Sequence, residues 1–226
     1  MRRLLLVAVV ALGVFAFGPL QGPAPQAEAA THEPILFVHG YLSSGSLWDT
    51  MVARFKASGW SSNQLYAISY DYSQSNVTTA YQVRDKVNEI RAQTGAAKVD
   101  IISHSMGGLS TRYYLKFLGG TAYVDEWVSL AGPNHGTLIA ILCAGLTPVS
   151  CLEMLPGSSL LNQLNSGDET PGAVRYGTWW SPCDEIINPD TSTILSGASN
   201  RMNLCVFHIQ ETLSSLVYGQ VKNFVK

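Results

Sequence analysis

The chain has 226 residues and a formal net charge of −2, with only 13% of its residues charged. That length supports one domain with a sizeable core, and the absence of a basic stripe or tail argues against nucleic acid as a partner. From the N-terminus, Met1-Arg2-Arg3 is a basic start and Leu4 to Phe17 is an apolar run too short to span a bilayer comfortably. Pro19 to Pro25 is a spacer, and Ala27-Glu28-Ala29 fits a small-x-small cleavage site. Residues 1–29 therefore read as a secretory signal peptide, residues 30–226 as the mature domain, and no stable membrane insertion is expected.

Pro34 to Val38 is a short apolar run, as expected for a strand buried on both faces, and His39-Gly40-Tyr41 ends it in a loop. Leu47, Trp48, Met51, Val52 and Phe55 recur at helical spacing, with Gly59 closing the helix. Gln64 to Tyr70 alternates as a second strand. Val83, Val87 and Ile90 mark a second helix that ends at Gly95. Lys98 to Ile102 predicts a third strand, Gly108 to Leu118 a helix, and Tyr123 to Leu130 a fourth strand. Val174 to Trp180 and Asn203 to Phe207 predict two more strands, and Leu213 to Phe224 a last helix. Strands alternating with helices give a mostly parallel sheet covered on both faces, with any active site at the carboxyl ends of the strands. Pro133 to Gly172 breaks the alternation and is an excursion from the core. It is expected to form a small lid, an acyl-binding wall, or a crossover packed onto the core.

Between the third strand and its helix stands Ser103-His104-Ser105-Met106-Gly107. A serine on a tight strand-to-helix turn is the nucleophile elbow of α/β-hydrolases. Ser103 occupies the usual first-glycine position and is small enough for the turn. A serine hydroxyl needs a base, normally histidine oriented by a carboxylate, in the chain order Ser, acid, His. Of five histidines only His135 and His208 follow Ser105, and His208, after the last predicted strand, is the expected base. Asp184, after the Val174 to Trp180 strand, is the expected acid, with Asp190 and then Glu185 behind it. Asp125 lies inside a strand, and Asp168 and Glu169 lie in the excursion, where helix capping or solvated turns are expected over calcium binding. The oxyanion donors are expected to be the backbone N–H groups of Met106 and Tyr41. His104 is expected to pack or hydrogen-bond within the elbow. No cofactor and no metal-ligand spacing are read.

Four cysteines in an exported chain imply disulfides, with three connectivities open. Proximity favours Cys143–Cys151, leaving Cys183–Cys205, which would tie the acid loop to the strand leading into His208.

Phe37-Val38-His39-Gly40, the elbow from Val99 to Gly108, Asp184 after a strand, Gly167 to Gly172 and the late His208 resemble the small secreted bacterial triacylglycerol lipases of the lipase A group. The resemblance covers nearly the whole mature chain. It implies a compact α/β-hydrolase core of six parallel strands that hydrolyses fatty-acid esters, with Ser105, Asp184 and His208 as the triad and Tyr41 and Met106 as oxyanion donors. Two departures stand out: Ser103 replaces an alanine, and Pro133 to Gly172 is longer, with Ala131 to Thr137 more like the corresponding turn of larger lipases. The expected function is a secreted, monomeric lipase or carboxylesterase acting on lipid or other esters, in reach of an oil–water interface. The alternatives are a cutinase-like polyester hydrolase, an acyltransferase with the same triad, or a non-catalytic binding protein on a hydrolase fold.

Overall fold

Alternation along the strands sets the architecture. In the computed structural model, which describes residues 32–145 and 148–225, β1 (Ile35–Val38) sends Ile35 and Phe37 to one face of a sheet and Leu36 and Val38 to the other. β2 (Leu65–Ile68), β3 (Val99–His104), β4 (Val124–Leu130), β5 (Arg175–Trp180) and β6 (Ser199–Met202) complete a six-stranded sheet of order β2-β1-β3-β4-β5-β6. Every neighbouring pair is parallel. The expected α/β-hydrolase arrangement of six parallel strands is the observed one.

Helices cover both faces. On one, α2 (Asn76–Thr94) and α3 (Gly107–Phe117) bring Val83, Val87, Ile90, Tyr114 and Leu115 against Leu36, Val38, Ile101 and Trp127. α2 starts where Ser75 Oγ accepts the Val77 N–H and stops at Gly95, whose φ of 74° suits glycine at a helix end. On the other face, α1 (Asp49–Ala57) and α8 (Ser215–Phe224) bring Met51, Phe55, Val217, Val221 and Phe224 against Phe37, Ile102, Val128 and Trp179. Each such apolar side chain removed from water contributes roughly 1.5–3 kcal/mol, so the central strands β1, β3 and β4 are the firmest part of the frame.

The excursion forms three short helices, α4 (Ile141–Ala144), α5 (Val149–Met154) and α6 (Ser159–Asn165). α5 and α6 are packed onto the core: Cys151, Met154, Leu160, Leu161 and Leu164 join Met106 and Leu109 in a third apolar cluster. Buried Arg112 of α3 donates to Asn134 O (3.0 Å), Leu164 O (3.2 Å) and Asn165 Oδ1 (2.8 Å). Glu153 of α5 accepts from the Asn76 N–H at 2.6 Å, at the start of α2, where a carboxylate is favoured by the helix dipole. α4 differs, since none of its residues is buried and Ile141 and Leu142 are exposed.

Two elements differ from expectation. The last strand is Ser199–Met202, not Asn203 to Phe207. It is an exposed edge strand, so it carries no apolar alternation; Asn200 Oδ1 instead accepts from Thr178 Oγ1 at 2.7 Å and from the Leu195 N–H at 3.0 Å. The last helix is split at Ser214 into α7 (Gln210–Leu213) and α8, because Ser214 adopts an extended backbone and its Oγ caps the second piece by accepting the Val217 N–H. The expected signal peptide, residues 1–29, lies outside the described residues.

Candidate active site

The parallel register brings four strand ends together. Val38 pairs with Ser103, and His104 with Leu130, so Ser105 emerges just past β3 beside the His39-Gly40-Tyr41 loop that follows β1. Ser105 has φ 53°, a left-handed conformation that is unusual outside glycine, and it is 6% exposed. Leu42 (φ 53°) after β1 and Ala131 (φ 50°) after β4 share that conformation. All three non-glycine residues of this kind among those described sit at the carboxyl edge of the sheet, where backbone strain commonly marks function.

Close packing dictates the small residues here. A Cβ on Gly40 would lie 2.7 Å from Ser105 Cβ, and a Cβ on Gly107 would lie 2.5 Å from His39 O. Ser103 fits because its hydroxyl is absorbed, donating to Val128 O at 2.8 Å within the sheet. This is why serine is accommodated at that position.

On the other side of the cleft, His208 Nδ1 lies 2.9 Å from Asp184 Oδ2 and 3.1 Å from Oδ1. Their side chains are 11% and 2% exposed. Asp184 Oδ1 also accepts the N–H groups of Ile186 (2.8 Å) and Ile187 (2.9 Å), which fixes the carboxylate. With Nδ1 donating to the carboxylate, Nε2 of neutral His208 keeps its lone pair free. His104 sits between the two halves: its Nε2 donates to His208 O at 3.1 Å, and the two rings are 4.6 Å apart. Burial, with the nearby His208 as a lesser cause, holds His104 well below the usual imidazole range, so it stays neutral. Its expected role as a hydrogen-bonding residue of the elbow fits this contact. Among the described residues Ser105 Oγ makes no hydrogen bond to His208; such bonds are often open until substrate is bound.

Two backbone donors remain. Among the described residues neither the Tyr41 N–H nor the Met106 N–H has an acceptor in the protein, although Met106 is fully buried. Buried N–H groups without partners are rare; Met106 directly follows Ser105, and Tyr41 follows Gly40, which packs against Ser105.

The other candidates stand elsewhere. His135 Nε2 pairs with Glu169 Oε1 at 2.8 Å, and Glu169 Oε2 accepts the Ser196 N–H. Asp168 Oδ1 accepts the Thr170 N–H, Asp190 Oδ1 the Thr191 N–H, and Asp125 pairs with Lys98. Glu185 belongs to the site in a different capacity, with its Oε2 accepting the His208 N–H at 3.0 Å. Sequence reasoning missed two further residues. Buried Ser181 Oγ accepts from the N–H groups of Cys183 (3.1 Å) and Val206 (2.8 Å), joining the loops that carry Asp184 and His208. Buried Glu211, contacted by Asn203 Nδ2, is pushed up to about 7, chiefly by burial. A serine hydroxyl two residues before a cysteine was the one available sign of the first; nothing local marks the second.

Both disulfides pair as read, Cys143–Cys151 with Cα atoms 5.8 Å apart and Cys183–Cys205 at 5.0 Å. Because β6 ends at Met202, the second bridge joins two loops and not a loop to a strand. The arrangement as a whole holds a hydroxyl, an oriented imidazole and two free N–H donors at one sheet edge, the set needed for acyl transfer.

A family model described as lipase (class 2) matches residues 32–223, and the chain belongs to that family. A triacylglycerol lipase from Pseudomonas fragi is 27% identical over 115 residues, 49% of this chain and 38% of that protein. Phospholipase A(1) LCAT3 from Arabidopsis thaliana is 36% identical over 95 residues, 40% of this chain and 21% of that protein. The chain thus spans well under half the length of these curated relatives. The crystal structure of mature Bacillus licheniformis lipase BlEst2 superposes with a TM-score of 0.76 at 17% identity, covering 91% of this chain and 96% of that one. At that identity the likeness concerns the fold.

Proposed function

We propose, from membership in the class 2 lipase family, that the protein hydrolyses carboxylic esters of fatty acids through an acyl-enzyme. Ser105 Oγ adds to the ester carbonyl and its proton passes to His208 Nε2, while the carbonyl electron pair moves onto oxygen. The Tyr41 and Met106 N–H groups stabilise that oxyanion. Collapse expels the alcohol, which takes the proton from His208. Water, deprotonated by His208, then adds to the acyl carbonyl and releases the carboxylic acid and free Ser105. Asp184 keeps His208 in the productive tautomer and stabilises the imidazolium.

The observation that carries this reading is the Asp184–His208 pair at 2.9 Å, whose base-bearing loop is bonded to the residue before Ser105. The exposed residues Leu138, Ile141 and Leu142 at the start of the excursion supply apolar surface for an acyl chain. Export with removal of residues 1–29 belongs to the same proposal; two disulfides suit an oxidising compartment, and among the described residues no helix is long and apolar enough to cross a membrane. Transfer of the acyl group to an acceptor other than water would use the same residues.

The test is a chain-length series of esters, from soluble short chains to emulsified long ones, with Ser105→Ala as control. Turnover extending to long emulsified esters and abolished in the variant is expected. Undiminished turnover by Ser105→Ala would sink the mechanism, and activity confined to short soluble esters would leave an esterase.

A further inference from the structure

The mechanism above leaves one fully buried histidine unused. His39 is the first residue after β1, and its Nδ1 lies 2.8 Å from Gly40 O. The Tyr70 N–H lies 3.3 Å from its Nε2. The Tyr70 ring stacks on the imidazole with centroids 4.0 Å apart and planes within 11°, and the Tyr70 hydroxyl donates to His39 O. A carbonyl oxygen only accepts and an amide N–H only donates. The proton of neutral His39 therefore sits on Nδ1, and Nε2 is bare. A second proton would set Nε2–H against the Tyr70 N–H, and burial lowers the imidazole pKa in the same direction.

The consequence lies one peptide further on. Gly40 O and the Tyr41 N–H belong to one planar trans peptide and point to opposite sides of it. Fixing the carbonyl on His39 fixes the direction of the N–H. Gly40, where this peptide begins, lies against Ser105: a Cβ there would stand 2.7 Å from Ser105 Cβ and 3.2 Å from Ser105 Oγ. Gly40, free of side-chain constraint, has the conformational latitude to rotate this peptide away unless something holds it.

We infer that His39 is a positioning residue of the oxyanion hole, its Nδ1–H clamping Gly40 O so that the Tyr41 N–H is aimed at the oxyanion of the substrate carbonyl that Ser105 attacks. The inference rests on the proposed function and adds to it the group that preorganises one donor before substrate arrives. Preorganised donors lower the barrier because they need no reorientation when charge develops. Histidine suits the position because one ring both clamps the loop and accepts from β2's exit at Tyr70.

Two measurements test it. Nitrogen-15 NMR of the histidine rings in the wild-type protein should find His39 with Nδ1 protonated and Nε2 bare; an Nε2–H tautomer would overturn the clamp, and this needs no variant to fold. Then kcat and KM are measured for a soluble short-chain ester. His39→Phe keeps the stack on Tyr70 and removes both hydrogen bonds; His39→Asn restores a side-chain N–H near the Nδ1 position. His39→Phe should lower kcat about 10²-fold with KM little changed, and should weaken a trifluoromethyl ketone, a tetrahedral mimic, by the same factor. His39→Asn should recover most of the lost kcat. A packing role would reverse that order, with Phe close to wild type and Asn worse, and would overturn the inference. Ser105→Ala run alongside separates the two levels. Turnover that survives it sinks the proposed function and this inference with it, whereas Ser105-dependent turnover with a fully active His39→Phe sinks the inference alone.

Discussion

The two halves of the site are held in place by different means. The proposed nucleophile and oxyanion loop follow β3 and β1, central strands buried on both faces, and their geometry comes from close packing at Gly40, Gly107 and Ser103. The proposed acid, Asp184, and base, His208, follow β5 and the exposed edge strand β6. There the loops are tied to each other by the Cys183–Cys205 bridge, by Ser181 Oγ, and by Glu185 holding the His208 N–H. An interior strand positions a residue through what fits against it; an edge strand has little to pack against, so cross-links and local hydrogen bonds do the work.

Breaking the chemistry on the edge side should have the largest effect. Asp184→Asn would make the side chain donate to His208 Nδ1 and place the proton on Nε2, so kcat should fall about 10⁴-fold. His135→Ala, which removes the Glu169 pair and the Nδ1 contact with Ser192 O, should stay within a few-fold of wild type; steady-state kinetics on one ester compares them, and the reverse ranking would reassign the base. Next comes the interior side. Gly40→Ala pushes a methyl into Ser105 and should lower kcat by about 10²-fold, with thermal stability checked in parallel to separate misplacement from unfolding.

The ties on the edge side should show mainly in stability. Cys183→Ser with Cys205→Ser should lower unfolding free energy by about 3 kcal/mol, from the loop entropy of a 22-residue separation. Activity at low temperature should fall far less than in Asp184→Asn, as urea melts with parallel assays would resolve. The smallest effect is pH-dependent. Burial raises Glu211 to about 7 in the folded protein. The protonated form is favoured in the fold, so its contribution is present at low pH and is lost as pH rises through about 7. Glu211→Gln should therefore gain on wild type between pH 5 and 8 by about 2 kcal/mol. A constant difference across that range would mean the carboxyl titrates normally.

The same contrast explains how much was legible in the sequence. The elbow, its flanking small residues and the His39-Gly40 loop are local patterns, because interior packing demands particular residues at neighbouring positions. Asp184 and His208 are expectations from chain order that the structure brings within hydrogen-bonding distance; chain order does not foretell the supports around them. β6 was misplaced by four residues because Ser199-Asn200-Arg201-Met202 is solvent-exposed and has no apolar rhythm. Ser181, Glu185 and Glu211 act on partners distant in the chain or carried by the fold, and a lone serine or glutamate gives no hint of its partner. Arg112 of α3 and Glu153 of the excursion anchor α6 and α5 through contacts spanning up to 78 residues, which periodicity within the segment cannot reveal.

The most direct test of the central claim is covalent. Wild-type protein treated with a fluorophosphonate, then digested and mapped by mass spectrometry, should carry one phosphonyl group on Ser105. Labelling should be lost in His208→Ala and persist in His135→Ala. A label on another residue, or labelling of Ser105 indifferent to His208, would contradict the assignment of an activated nucleophile at the end of β3.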